Sequence, residues 1–292
     1  MSQFPISNGL RALAPNYDVL ICDIWGVIHN GRSAYDGVVD CLRHFRRQHG
    51  GVVLLLSNAP RPSSPIREQL QGFGVGVDAY DTLVTSGDLT RNLLAEKSAG
   101  RNFKIHHVGP DRDLTLFDGL QVSRVGLNEA QAIVCTGPFD DTKEGPEDYA
   151  AYWREALARR LPFFCANPDL QVQRGDQLIY CAGALAQDYE RQGGEVIYLG
   201  KPHLPVYDFV AQHLKLSTGR EIPRTKWLAI GDGLKTDILG AMRATIDALL
   251  ITGGIHEPQL SNQDGTPDPA KIASTLHAQN LTAKAAMRRL VW

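Results

Sequence analysis

The sequence predicts an α/β protein, a doubly wound parallel sheet interrupted by a second α/β domain. Three observations predict it. Short apolar runs end abruptly in polar or glycine-containing turns, stretches of helical period lie between them, and the middle of the chain breaks that rhythm while keeping a globular composition. Runs that are apolar on consecutive positions suit strands buried on both faces, as in a parallel sheet.

Taken in order, Val19, Leu20, Ile21 and Cys22 run into Asp23, and Val52, Val53, Leu54, Leu55 and Leu56 run into Ser57 and Asn58. Val196, Ile197, Tyr198 and Leu199 run into Gly200 and Lys201. Trp227, Leu228, Ala229 and Ile230 run into Gly231 and Asp232, and Ala248, Leu249, Leu250 and Ile251 run into Thr252, Gly253 and Gly254. Helical spacing places Val38, Leu42 and Phe45 on one face, then Val206, Val210 and His213 behind Pro205 at a first helical position. Ile238, Ala241, Met242 and Thr245 repeat the pattern. Strand–helix alternation of this kind specifies a doubly wound sheet.

The interruption contains strand-like Phe103–Val108, Ala132–Cys135 and Phe163–Cys165 and a helix-like stretch at residues 147–161. Residues 86–180 are therefore expected to form an inserted α/β domain, a cap, with 1–85 and 181–292 forming the core around it. A chain of 292 residues is long for one core and comfortable for two domains.

Composition narrows the function classes. Hydrophobic residues make up 43% and charged residues 21%, which argues against extensive disorder. Lys plus Arg is 30 and Asp plus Glu is 32, so a net charge of −2 gives no electrostatic reason to expect nucleic acid or an anionic membrane as partner. No apolar run reaches the ~18 residues needed to span a bilayer, and the amino terminus lacks a signal-peptide pattern. Cys22, Cys41, Cys135, Cys165 and Cys181 are widely spaced, without a C-x-x-C, and read as reduced thiols of a cytoplasmic protein.

In doubly wound sheets functional groups collect at the carboxyl ends of strands. Asp23, Ser57, Lys201 and Asp232 all hold that position in their own units. Phosphoryl transfer through an aspartyl-phosphate needs a carboxylate nucleophile, a cation for the phosphate charge, and donors to its oxygens. Asp23 fits the nucleophile and Asp232 a metal ligand. Asp237, in the first turn of a following helix, fits a further ligand, direct or through water. Lys201 supplies a fixed positive charge and Ser57 a hydroxyl donor. A few carboxylates shared with a phosphate suit Mg²⁺.

Four strings carry a resemblance: Asp23-Ile24-Trp25-Gly26-Val27, Leu56-Ser57-Asn58, Gly200-Lys201-Pro202 and Gly231-Asp232-Gly233-Leu234-Lys235-Thr236-Asp237. In this order they resemble the motifs of the haloacid dehalogenase superfamily. The insertion between the second and third, with Asn167-Pro168-Asp169 near its end, resembles the class IIA branch of sugar-phosphate and related phosphatases. The resemblance implies a Rossmann-like core and a Mg²⁺-dependent hydrolase of small phosphorylated metabolites. Asp23 would be nucleophile and Mg²⁺ ligand, with Ser57 and Asn58 binding the phosphoryl group and Lys201 offsetting its charge. Asp232 and the Trp25 backbone carbonyl would complete the Mg²⁺ site, and Asp237 would support it. The cap would contact the rest of the substrate, and a homodimer through the cap is compatible with the resemblance.

One position departs from the pattern. Phosphatases of the superfamily place a general acid–base aspartate two residues after the nucleophile, and here that residue is Trp25. Indole has one N–H and no titratable proton near neutrality, and loss of such an acid costs ~10²–10⁴-fold in rate. Three readings follow: a phosphatase with another acid or with leaving groups that need no proton, such as acyl phosphates; a metal-independent dehalogenase; or a phosphometabolite-binding protein with little turnover. The dehalogenase would not need both Asp232 and Asp237. His29 is the nearest substitute acid in sequence, although a histidine so placed more often only orders its loop.

Other signals reduce to structure. Gly72, Gly74 and Gly76 read as a turn, because they do not open a helix behind a strand. His106 and His107, adjacent on a strand, point to opposite faces. Arg43, His44, Arg46, Arg47 and His49 read as a solvated face near a helix C-terminus. Cys22 reads as a small buried residue, and the 9 Tyr and 4 Trp form no stacking platform.

Overall fold

A computed structural model describes residues 3–174 and 177–292. In chain order the strands are β1 (Val19–Asp23), β2 (Val52–Ser57), β3 (Thr82–Thr85), β4 (Phe103–Val108), β5 (Val122–Arg124), β6 (Ala132–Cys135), β7 (Phe163–Cys165), β8 (Gln171–Arg174), β9 (Gln177–Tyr180), β10 (Val196–Tyr198), β11 (Trp227–Gly231), β12 (Asp247–Ile251) and β13 (Ala285–Met287). The helices are α1 (Val38–Arg47), α2 (Ser63–Gly72), α3 (Ser86–Lys97), α4 (Ala150–Ala158), α5 (Ala182–Arg191), α6 (Leu204–Thr218), α7 (Leu239–Arg243), α8 (Glu257–Leu260) and α9 (Pro269–Ala278). None of the described helices is long and apolar enough to cross a membrane.

The chain forms two compact units. The first comprises the residues up to Ser57, Ile66–Val84 and Tyr207–Trp292. Its six-stranded sheet has the order β13-β12-β11-β1-β2-β3. β1 pairs in parallel with β11 on one side and β2 on the other, with Cys22 opposite Ile230 and Asp23 opposite Leu56. The chain winds outward in both directions from β1, so the topological switch point lies between β1 and β11. The apolar runs explain the burial, since Val19, Leu20, Ile21 and Cys22 are all buried, as are Val53, Leu54 and Leu55.

α1 buries Val38, Leu42 and Phe45, the stripe its spacing predicts, and Cys41 beside them. Its basic side chains are not merely a solvated face. Arg43 and Arg47 pair with Asp78, and Arg46 pairs with Asp81, whose carboxylate also accepts the Val53 N–H. The partners lie 31–35 residues away in sequence, so helical pattern alone does not reveal them. Met242 also departs from its expected apolar face and is partly exposed on the short α7.

The second unit comprises Asn58–Pro65 and Thr85–Val206. Its five-stranded sheet has the order β10-β7-β6-β4-β5, with parallel pairings throughout, and β8 and β9 form a separate antiparallel hairpin. Its core gathers Val108, Ile133, Trp153, Phe163, Leu185 and Tyr189. Val196–Tyr198, read from the sequence as a strand of the first sheet, instead pairs with Phe163–Cys165 here. α5 buries its apolar face in the same core. The stretch after residue 180 thus continues the second unit through Val206. A short apolar run suits either parallel sheet, and only long-range pairing decides which one it joins.

Candidate active site

The switch point carries the carboxylates. Asp23 ends β1, and Asp232 follows Gly231 at the end of the neighbouring β11. A π-type turn over Leu234–Ile238 then folds the chain back, with the Asp237 and Ile238 N–H groups both donating to the Gly233 carbonyl at 2.9 and 3.1 Å. Asp237 returns the contact, its Oδ2 accepting the Gly233 N–H at 3.0 Å. The expected first helical turn is therefore a π turn, a distortion that recurs at functional sites, and α7 begins only afterwards.

Asp23, Asp232 and Asp237 each present a carboxylate oxygen, and these oxygens lie within 4.8 Å of one another. Asp232 and Asp237 are buried, and Asp23 is less so. Two ionised carboxylates at that separation repel by roughly 3 kcal/mol at an effective dielectric constant of about 20. Three together, all oxygen donors, make a set suited to a hard divalent cation. Mg²⁺ fits this donor chemistry.

Glycines make the set possible. A Cβ on Gly26, on the loop after β1, or on Gly254, on the loop after β12, would overlap the Asp232 carboxylate, and a Cβ on Gly231 would overlap Asp237. Gly26 also has φ +84°, a left-handed backbone that glycine adopts without strain. The Ile255 N–H donates to Asp232 Oδ2 at 2.8 Å, so the turn after Gly254 orients this carboxylate as well. Neither Gly26 nor Gly254 is among the candidate site residues of the sequence; the signal available there is a glycine three residues beyond the end of a buried apolar run, after Asp23 and after Ile251.

Trp25 lies on the same loop, two residues beyond Asp23, with 45% of its surface exposed. Its ring meets His29 edge-on at 5.3 Å, and a Cβ on Gly31 would overlap the indole. The loop closes through Gly26 N–H to the His29 carbonyl at 2.9 Å. His29 is buried, lies edge-on to Phe73, and its Nδ1 accepts the Gly31 N–H at 2.9 Å. Burial lowers its pKa to about 4. The imidazole is thus engaged in tying its own loop, the ordering role a histidine so placed more often has.

Ser57 ends β2, one residue beyond the Asp23–Leu56 register pair. Asn58 and Lys201 belong to the second unit, where both are buried and joined. Asn58 Oδ1 accepts the Lys201 N–H at 2.8 Å and the Ser86 hydroxyl at 3.3 Å, and its Nδ2 donates to the Lys201 carbonyl at 3.0 Å and to Asp169 Oδ1 at 2.8 Å. The Asn58 side chain, expected to touch substrate, thus commits its amide to protein partners. Lys201 follows β10 of the second sheet rather than a strand of the first. His106 and His107 have separate partners, the Val125 carbonyl and the Thr136 hydroxyl. Cys22 is buried in β1, and Gly74, with φ +81°, turns the chain after α2.

Fold and site together define a doubly wound α/β protein with a three-carboxylate centre at the switch point of its larger sheet. The sequence matches the haloacid dehalogenase-like hydrolase family over residues 20–123 and a second, HAD-hydrolase-like pattern over residues 198–279. A crystal structure of a haloacid dehalogenase-like hydrolase from Brucella suis 1330 is 39% identical, superposes with a TM-score of 0.83, and covers 98% of this chain and 100% of its own. Phosphoglycolate phosphatase 2 of Arabidopsis thaliana is 24% identical over 294 residues, 92% of this chain and 94% of that protein. Ribonucleotide monophosphatase NagD of Escherichia coli K12 is 24% identical over 251 residues, 85% of this chain and 92% of that protein. The chain belongs to the haloacid dehalogenase-like hydrolases, in their class IIA branch.

Proposed function

We propose that this chain is a cytoplasmic, Mg²⁺-dependent phosphatase that hydrolyses a small phosphorylated metabolite through a phospho-intermediate on Asp23. The observation that carries the reading is the gathering of Asp23, Asp232 and Asp237 at the switch point of the first sheet. The phosphatase names of the relatives from Arabidopsis thaliana and Escherichia coli support the same class of substrate.

Asp23, Asp232, Asp237 and the Trp25 carbonyl would hold Mg²⁺, which when bound supplies positive charge against the nucleophile and the phosphate. An Asp23 carboxylate oxygen attacks phosphorus, and the bond from phosphorus to the leaving-group oxygen breaks. Water then attacks phosphorus, which releases inorganic phosphate and restores the Asp23 carboxylate. The Ser57 hydroxyl donates to a phosphoryl oxygen and Lys201 contributes fixed charge. Trp25 offers no proton to the departing oxygen, and His29 is engaged with its own loop. Leaving groups stable as anions, such as the carboxylate of an acyl phosphate, therefore depart best.

The exposed indole where the family carries its acid also favours a second reading, a phosphometabolite-binding protein with little turnover. A panel of phosphate esters and one acyl phosphate, assayed with and without Mg²⁺, separates the two. Mg²⁺-dependent phosphate release that disappears in Asp23→Asn supports the phosphatase. Silence across the panel, with Mg²⁺ still bound, supports the binding protein.

A further inference from the structure

We propose that Asp169 is a positioning residue for Lys201 and acts on it through the Asn58 amide. The inference rests on the reading of Lys201 as the fixed charge of the phosphatase site. Its observations all lie within the second unit.

A carboxamide has two hydrogens to donate and two lone pairs to accept with. In Asn58 all four positions are taken. Two of the bonds run to the N–H and C=O of Lys201 itself, at 2.8 and 3.0 Å, so the side chain grips that residue as a neighbouring strand would. The grip constrains the backbone from which the Lys201 stem departs. A third position receives the Ser86 hydroxyl, and the fourth, an Nδ2 hydrogen, goes to Asp169. A carboxylate only accepts, so Asp169 determines which end of the amide faces it, and hence which end faces the Lys201 N–H.

Asp169 is itself held. Its N–H donates to Asn167 Oδ1 at 3.1 Å, and its carbonyl accepts the Gly183 N–H at 3.1 Å in the first turn of α5. A Cβ on Gly183 would overlap the Pro168 and Asp169 carbonyls, and a Cβ on Gly200 would overlap the Ser86 hydroxyl and Asn58 Oδ1. Both glycines thus permit the close approaches the network needs. The Asn167-Pro168-Asp169 string and the glycine of Gly200-Lys201-Pro202 acquire one shared purpose, a rigid path from α5 to the backbone of Lys201.

A double-mutant cycle on the full chain tests this, with kcat and KM measured on p-nitrophenyl phosphate at saturating Mg²⁺. Displacing a catalytic group by about 1 Å costs on the order of 10²-fold, so Asp169→Ala is expected to lower kcat by ~10- to 100-fold with a smaller change in KM. Asp169→Asn keeps an acceptor toward Asn58 and is expected to recover activity to within ~3-fold of wild type. In a Lys201→Ala background, Asp169→Ala is expected to cost less than about 2-fold, because groups acting as a unit are not additive. An additive loss in that background, or an Asp169→Asn variant as impaired as Asp169→Ala, would overturn the assignment and leave the phosphatase reading standing. Asp169→Asn, checked by circular dichroism, keeps the test decisive if Asp169→Ala does not fold. A wild type silent toward every phosphate ester, or a fully active Lys201→Ala, would overturn the role of Lys201 and the proposal with it.

Discussion

Trp25→Asp puts an ionisable proton where the chain has an indole, and its two effects can be sized separately. A well-placed proton donor contributes ~10²–10⁴ in rate, or about 3–5 kcal/mol of barrier at ~1.36 kcal/mol per decade. The structural cost follows from burial. Trp25 is 45% exposed, so roughly half of the ~150–250 Å² a tryptophan can bury is at stake. At ~25 cal/mol per Å² that is about 2–3 kcal/mol. The loss removes the edge-on contact with His29 and the packing on Gly31, but leaves the backbone bond from Gly26 N–H to the His29 carbonyl. Against a typical margin of ~5–15 kcal/mol the variant stays folded. Its new carboxyl, beside Asp23, has its pKa raised by like charge and so keeps its proton closer to neutrality.

The assay is kcat across phosphates of graded leaving group, from an acyl phosphate through an aryl ester to alkyl esters, for wild type, Trp25→Asp and Trp25→Asn. If the proton is what is missing, the wild-type rate falls steeply as the leaving group becomes more basic. Trp25→Asp then flattens that slope by raising the alkyl esters most. Trp25→Asn matches the aspartate in size without an acidic proton, and its slope stays steep. A uniform gain in both variants would mean that the indole blocks access, and an unchanged slope in Trp25→Asp would refute the argument from the missing acid.

The other predictions concern the metal set and its supports. Asp23→Asn should abolish turnover with an unchanged circular dichroism spectrum, and measurable turnover would remove Asp23 as nucleophile. EDTA should silence the enzyme and lower its melting temperature, since a ligand bound only by the folded state stabilises it; full activity in EDTA would return support to the dehalogenase. Gly254→Ala forces a methyl against the Asp232 carboxylate. It should cost ~1–3 kcal/mol of stability and shrink the melting-temperature rise produced by Mg²⁺, whereas a wild-type response would show that this glycine does not shape the site. His107 is held by burial at a pKa of about 4 against an ordinary 6.5. The unfolded chain thus takes up its proton first, and the stability contribution is complete above pH ~6.5 and lost as pH falls toward 4, by at most about 3 kcal/mol. Urea titrations at pH 7 and pH 4.5 should show a smaller acid loss in His107→Gln, and equal losses would place the acid sensitivity elsewhere.

Some of this site is legible because its causes are local. Asp23 and Asp232 each terminate a buried apolar run, and the outward winding of a doubly wound sheet brings two such ends side by side at β1 and β11. Asp237 returns toward Asp232 for a local reason too, since a π turn from Gly233 to Ile238 needs only six consecutive residues. Other features depend on partners that no periodicity announces. Val196–Tyr198 carries the same apolar signature whichever parallel sheet it joins, and its pairing with Phe163–Cys165 is a choice made across more than thirty residues of chain. The arginines of α1 look like a solvated stripe until Asp78 and Asp81 arrive from the loop before β3.

Asn58 makes the distinction sharpest. In the sequence it follows Ser57, the serine expected to bind the phosphoryl group, and proximity suggests that it shares the serine's task. Its amide instead meets residues 28, 111 and 143 positions away, and a fully occupied buried amide has no donor or acceptor remaining for a substrate. Breaking any one of those bonds leaves a buried polar group unsatisfied, at ~1–3 kcal/mol, so the arrangement resists slow drift of the Lys201 backbone. A lysine stem has four rotatable carbons and loses aim easily. Fixing its backbone from two sides is therefore the economical way to keep a buried ammonium at one place, as the proposed phosphoryl transfer requires.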